Sequence, residues 1–397
     1  MRIRGTVTDC HLSYCTNIHA GETLDEVMAG LREHLPAVRA QVCPGEPMGV
    51  GLRLGATALA ALQDPARFEA LKGFLDDGGF YVFTVNGFPY GTFHGATVKE
   101  GAYRPDWSDP LRLAYTNALA ELFARLLPDG LEGSLSTVPG TFRPWAAGRL
   151  DTITANLIAH VARLVEIERA TGKTICLALE PEPCCLLETV DETIAYFEGH
   201  LFGEAARAQL AAATGLSGTA LEAAMRRHLG VCYDVCHAAV EFEDPAASIA
   251  ALRARGIRIA KAQLSSALRV PALDEASAAR LEAFAEPVYL HQVVERRDGQ
   301  LRRFLDLPEA LAARDTARGA EWRVHFHVPV FLPEMIGFGT TQSFLAEVLA
   351  LHASDPVSGH LEVETYTWDV LPEAYRKVPL GAAIARELDW VLQRIGG

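Results

Sequence analysis

The chain has 397 residues, 49% of them hydrophobic, and a formal net charge of -14, which repels phosphate backbones and anionic lipid and argues against nucleic acid as a partner. No run approaches the roughly 20 apolar residues that span a bilayer, so no membrane insertion is expected. The opening MRIRGTVTDCHLSYCTNIHAG lacks the ~7 to 15 residue apolar stretch of a secretion signal, which makes a cytoplasmic protein the expectation.

Along the chain, strand-like and helical patterns alternate. Strands are expected at 13–19, 48–54, 80–87, 133–139, 174–180, 230–236, 257–265 and 360–367, with amphipathic runs such as LDEVMAGLREHLPAVRAQ and LDTITANLIAHVARLVEIERATG between them. Eight such pairs predict an α/β fold, a (β/α)8 TIM barrel formed by one domain over 1–397. Two stretches exceed that template. Residues 200–229 add an Ala-rich helical insertion before strand six, and residues 286–331 add a second between strands seven and eight, with a hairpin turn at Asp298 and Gly299. Both are expected to act as lids or as oligomer contacts, such as those of a homodimer. A doubly wound dinucleotide-binding sheet is disfavoured, because SYCTNIHAGETLDE carries no Gly-x-Gly-x-x-Gly turn.

Several of these strands end in groups that are expensive to bury without a partner: Glu180 in ICLALEPEP, Asp234 with His237 in VCYDVCH, and Glu364 in HLEVETYT. Taken singly, Glu180 reads at least as readily as a cap of the next helix or the partner of an Arg as it does as a ligand. In a parallel barrel, however, all strand ends converge on one mouth, and oxygen ligands meeting there suit a divalent metal, Mn, Mg, Co or Zn. Period-two alternation puts Lys261, Gln263 and Ser265 on one face, and Gln263 can offer an amide oxygen. The metal set read this way is Glu180, Asp234, Gln263 and Glu364. Glu182 projects to the same side as Glu180 if the extended backbone continues, as a substrate contact or a support.

His19, Asn86, His94, His325 and His327 fall at strand ends or in loops; His325 and His327 share a face in HFHVP. A histidine so placed reads more often as a packed residue than as a ligand, but two on one face beside an insertion bring His327 towards the site, as a substrate contact or as a ligand in place of Gln263. Asn86 and Lys261 complete the expected substrate-binding groups, although a Lys paired structurally with Glu180 or Asp234 is an equal alternative. Phe88, Tyr90, Phe93, Trp107, Phe142 and Trp145 are expected as wall and packing groups. The eight cysteines form no Cys-x-x-Cys pair and read as reduced thiols that pack as small hydrophobes, Cys236 included.

The order Glu180, Asp234 with His237, Gln263 and Glu364, one group per strand, resembles the xylose isomerase-like TIM-barrel superfamily of sugar and cyclitol isomerases, epimerases and dehydratases. Gln263 departs from the His that many members carry. At a finer level YCTNIHAGET, FTVNGFPYGTFHG, ALEPEP, HFHVPVF and HLEVETYTWDVLP resemble the EboE family of Ebo-cluster metabolite traffic proteins. The first resemblance implies a metal-dependent isomerase or epimerase that acts on a polyhydroxylated small molecule. Glu180, Glu364 and His237 would be catalytic, moving a proton by way of a metal-bound enediolate. The second implies a role in a specialised metabolic pathway and an alternative, a metabolite-binding or traffic protein that keeps the pocket without chemistry. A glycoside hydrolase also needs only paired carboxylates and would survive a chelator. A repair nuclease of the same superfamily is disfavoured by the net charge.

Overall fold

The computed structural model describes residues 1–4 and 9–395. Eight parallel strands form the centre: β1 (Cys10–Tyr14), β2 (Met48–Arg53), β3 (Phe80–Asn86), β4 (Gly133–Thr137), β5 (Ile175–Leu179), β6 (Leu229–Asp234), β7 (Arg258–Leu264) and β8 (His360–Val363). From β2 to β8 each pairs with its sequence neighbour, and β8 returns to pair with β1, so the order is that of a (β/α)8 barrel. Between β1 and β2 the ladder is reduced to a Cys15–Gly51 bridge, and the Ser13 hydroxyl spans the gap by donating to the Gly49 carbonyl and accepting from the Gly51 N–H, each at 2.9 Å. The first strand begins three residues earlier than the sequence pattern suggests. Its expected second half is a short 3-10 turn, Thr16–Ile18, because the Arg53 N–H donates to the Thr16 hydroxyl and not to a strand partner.

Helices surround the barrel, and local chemistry fixes where they start. Three begin at Asp-Pro pairs, Asp64–Pro65, Asp109–Pro110 and Asp244–Pro245, in which the Asp side chain caps the helix and Pro takes the first turn, where a missing N–H costs nothing. Thr23 with Glu26 and Thr189 with Glu192 form reciprocal capping boxes. Among the described residues no helix is long and apolar enough to cross a membrane.

The expected insertion before β6 consists of two helices, Glu204–Thr214 and Gly218–His228. The one between β7 and β8 is larger than 286–331. Immediately after β7, Leu268–Val270 starts a six-stranded antiparallel sheet that ends with Phe338–Thr340. Within it Val293–Arg297 and Gln300–Phe304 pair across the two-residue turn at Asp298 and Gly299, both with positive φ (49° and 78°), the type I′ geometry that Asp-Gly favours. The short strands at either end are too brief to carry a period of their own, so the sequence hid them.

Candidate active site

The chain pattern Asp-x-x-His is a helix start. Asp234 ends β6 and caps the six-residue helix Val235–Val240, its Oδ1 accepting from the His237 N–H at 3.1 Å and from the Ser265 hydroxyl at 2.7 Å. The cap turns the His237 ring back over the barrel mouth, where its Nδ1 donates to the Pro181 carbonyl at 2.9 Å. Glu180 lies immediately after β5 and Glu364 immediately after β8, so three carboxylates converge from β5, β6 and β8, with one oxygen of each within 4.8 Å of the others. The Gln263 amide nitrogen, from β7, donates to Glu180 Oε1 at 3.0 Å, to Asp234 Oδ2 at 3.5 Å and, more closely, to Glu364. Asn17 and Asn86 donate to the other Glu364 oxygen at 2.7 and 3.2 Å.

The histidines form an adjoining cluster. His325 Nδ1 donates to Gln292 Oε1 at 2.7 Å, and His327 Nδ1 donates to the Glu364 carbonyl at 2.9 Å. With each Nδ1 committed to a carbonyl oxygen, His237, His325 and His327 all have Nε2 left for another partner, with a lone pair there on any ring that is neutral. The Nε2 atoms of His237 and His325 face each other at 3.1 Å, a repulsive arrangement unless a proton or a metal ion lies with them. His327 Nε2 lies 4.0 Å from Asp234 Oδ2, and Asp234, His237 and His327 make a second group of donors that overlaps the carboxylate set at Asp234.

Burial sets the electrostatics. It raises the Glu180 and Glu364 carboxyls well above the ordinary range, and each is raised further by its neighbouring carboxylates. At Asp234 burial acts in the same direction, but the imidazoles of His237 and His327 and its hydrogen bonds outweigh it, leaving the group below its ordinary value. His327 falls to about 4, chiefly through burial, and is neutral at pH 7. Among the described residues four buried atoms here have no hydrogen-bond partner: Asn17 Oδ1, Glu180 Oε2, Gln263 Oε1 and His327 Nε2. Each of them, with Glu180 ionised, can accept, so each is open to a donor or a cation. The donor chemistry therefore fits a divalent cation, held by oxygen ligands with imidazole alongside.

The mouth is walled by Phe88, Phe93, Tyr103, Tyr289 and Tyr366 and leaves a cavity of about 60 Å³. The largest cleft, about 840 Å³ around Phe68 and Lys173, lies elsewhere, and its cations are paired within it, Lys72 with Asp76, Arg163 with Glu121 and Lys173 with Asp129. A cleft of internally paired charges leaves nothing convergent for chemistry, so the smaller cavity is the candidate.

Of the groups expected from sequence, Glu180, Glu182, Glu364, Asn86 and His237 line this cavity, while Asp234, Gln263 and His327 lie fully buried against it. Lys261 does not reach it. Its ammonium lies inside the barrel, 2.5 Å from Glu362 Oε2 and 3.3 Å from the Ser136 hydroxyl, so the expectation of a substrate contact is corrected: β7 aims Lys261 one step below Gln263, and Glu362 is its partner. Of the expected wall, Phe88 and Phe93 face the cavity. Phe142 stacks behind Tyr103, Trp145 packs on Phe142, Tyr90 packs on Tyr115, and Trp107 is buried with its indole N–H on Thr137. His94 bridges the Asn17 carbonyl and the Tyr289 hydroxyl, and His19 stacks on His34 away from the mouth. Sequence reasoning missed Asn17, Tyr103, Tyr289 and Gln292. Asn17 carried a usable signal, a polar residue just past a strand. The others are placed by loops folding back, which no local pattern encodes.

No family model matches the chain, and no curated protein matches it. Solved structures similar to it include an IolI protein with a bound zinc atom, 11% identical over 97% of this chain and 98% of that one (TM-score 0.44). A D-tagatose 3-epimerase-like protein is 14% identical over 97% and 98% (TM-score 0.49). The probable 3-DHS dehydratase AsbF of petrobactin synthesis from Bacillus anthracis is 12% identical over 97% and 99% (TM-score 0.44).

Proposed function

We propose that the chain is a metal-dependent isomerase or epimerase acting on a polyhydroxylated small molecule, a sugar or cyclitol. The observation that carries this reading is the trio of buried acceptors without partners, Glu180 Oε2, Gln263 Oε1 and His327 Nε2, set among three converging carboxylates. Glu180, Asp234, Gln263 and Glu364 would hold the cation, with Gln263 rotating its amide so that Oε1 replaces Nε2. Bound there, a divalent metal supplies Lewis acidity to a substrate carbonyl and makes the adjacent C–H more acidic.

The chain's own groups would move the proton. Burial and the neighbouring carboxylates raise the Glu180 and Glu364 carboxyls, which makes each a stronger base, when ionised, than an ordinary carboxylate. Glu180 Oε2 would take a proton from carbon and Glu364 would deliver one of its own to the opposite face for epimerisation, the two carboxyls exchanging protonation states; for isomerisation the proton would go to the neighbouring carbon while the hydroxyl proton passes to the former carbonyl oxygen. No oxidant or reductant is consumed. His237, its Nδ1 held by the Pro181 carbonyl, offers Nε2 to a substrate hydroxyl. The aromatic wall covers apolar C–H faces and keeps water out.

The test is metal analysis of the purified protein beside a Glu180→Ala, Glu364→Ala double variant, followed by exchange of solvent deuterium into ketoses and inososes. About one equivalent is expected in the parent and none in the double variant. Exchange should fall roughly 10² to 10⁴-fold in Glu180→Gln. No metal in either protein after Mn or Zn addition overturns the reading. The five segments that resemble the EboE traffic family favour a second reading, a metabolite-binding protein, which predicts tight binding of a polyol with no deuterium exchange.

A further inference from the structure

The cations near the mouth are all engaged. Lys99 is the cationic side chain among the lining residues, and its ammonium donates to the Glu286 carbonyl at 3.1 Å, to the Tyr289 carbonyl at 2.7 Å and to Asp306 at 2.7 Å. An ammonium has three donors, so none is left for a ligand. Arg53 holds Glu22 and the Gly21 and Gly91 carbonyls, and Lys261 holds Glu362. Facing or backing the cavity are Glu180, Glu182, Asp234 and Glu364. A single divalent cation balances half of that formal charge, and the rest still repels a phosphate or a carboxylate.

Glu182 stands apart from the carboxylate triangle and is fixed in place. Its Oε1 accepts from the Tyr103 hydroxyl at 2.6 Å and from the Gln292 amide at 3.2 Å. Gln292 is itself held, since the same amide donates to the Tyr103 hydroxyl at 2.8 Å and to the Pro183 carbonyl at 3.1 Å, while its oxygen accepts from His325. Glu182 is 94% buried, being 6% exposed, yet its Oε2 accepts from no group among the described residues. Phe88, Tyr103 and Tyr366 line the same cavity, Tyr103 with its hydroxyl on Glu182. An oriented carboxylate oxygen without a donor, walled by aromatic rings and with no free cation nearby, is a receptor for an ammonium group.

We infer that the mouth takes a polyhydroxylated ligand bearing a protonated amine, that Glu182 receives the amine, and that phosphorylated and carboxylated analogues are rejected. This rests on the reading that the mouth is the ligand site, but not on any reaction occurring there. The test is calorimetric binding of D-glucosamine, D-glucose and D-glucose 6-phosphate to the full chain equilibrated with Mn, at pH 6.5. Glucosamine should bind about tenfold more tightly than glucose, with glucose 6-phosphate weakest. In Glu182→Gln the preference for the amine over glucose should fall below about twofold. Tyr103→Phe, which keeps the carboxylate, should retain the preference. Equal binding of the three, tightest binding of the phosphate, an amine preference that survives Glu182→Gln, or binding of none overturns the inference. Absence of deuterium exchange with the expected affinity order would instead bear only on the isomerase reading.

Discussion

Inside the barrel Lys261 and Glu362, both fully buried, lie 2.5 Å apart; one side-chain step towards the C-terminal end, Glu180, Asp234 and Glu364 crowd together around the Gln263 amide. The lower pair balances its charge internally. Burial alone lowers the Lys261 ammonium, but Glu362 more than reverses this and holds it above its ordinary value. Gly51 makes the space, since a Cβ there would stand 1.5 Å from Glu362 Oε1. In the upper cluster Asp234 is met by histidines and hydrogen bonds, but the Glu180 and Glu364 carboxyls are raised where the ammonium below them is stabilised. The same strands therefore carry a buried charge that serves the fold and a buried charge that the fold alone does not explain. What separates them is whether the chain supplies the partner.

The largest expected effect lies in the lower pair. Lys261→Met leaves Glu362 buried and unpaired and should cost about 3 to 5 kcal/mol in urea denaturation, most of it recovered in Lys261→Met, Glu362→Leu. Parent-like stability of the single variant would erase the contrast. Gly51→Ala pushes into Glu362 and should cost about 1 to 3 kcal/mol by the same measurement. In the mouth the sign reverses: Glu364→Gln replaces a buried carboxyl, whose ionised form burial and the neighbouring carboxylates disfavour, by a neutral amide that keeps an acceptor for Asn17 and Asn86, and should stabilise the metal-free protein by about 1 kcal/mol. The same change should weaken Mn binding at least about tenfold by competition with a chelator.

The smallest effect concerns pH. Because the Glu180 and Glu364 pKa values are raised, their ionised forms are disfavoured in the metal-free protein, and a bound cation, which needs carboxylate ligands, favours loss of their protons. Metal affinity should therefore climb as pH rises and level off above those pKa values. Calorimetry in two buffers of different ionisation enthalpy should register proton release on binding. Affinity independent of pH, with no release, would place the cation elsewhere.

Much of the barrel was legible because its periods are local. Strands β2 to β5, β7 and β8 fall where apolar, β-branched runs sit between turn signals, and the Asp-Pro helix starts are readable from pairs of neighbours. The carboxylates were legible for a related reason: Glu180, Asp234 and Glu364 each interrupt an apolar run at its end, where burial without a partner is costly. Lys261 was misplaced because period two gives the face of a side chain but not its depth, and depth separates Lys261 from Gln263. The inserted sheet was read too short because Leu268–Val270 and Phe338–Thr340 are only three residues each and gain their strand character from pairing with each other.

By itself, then, the amino-acid sequence determined the alternation of strand and helix, the strand-end carboxylates and the cap that turns His237 over Asp234, since each depends on residues within a few positions. Only the tertiary structure decided that Gln292 and His325 of the insertion meet Glu182, that Asn17 meets Glu364 across 347 residues, and that Lys261 answers to Glu362. Such contacts are fixed by barrel closure and loop return, which bring distant groups to hydrogen-bond distance without leaving any mark on the residues beside them in the chain.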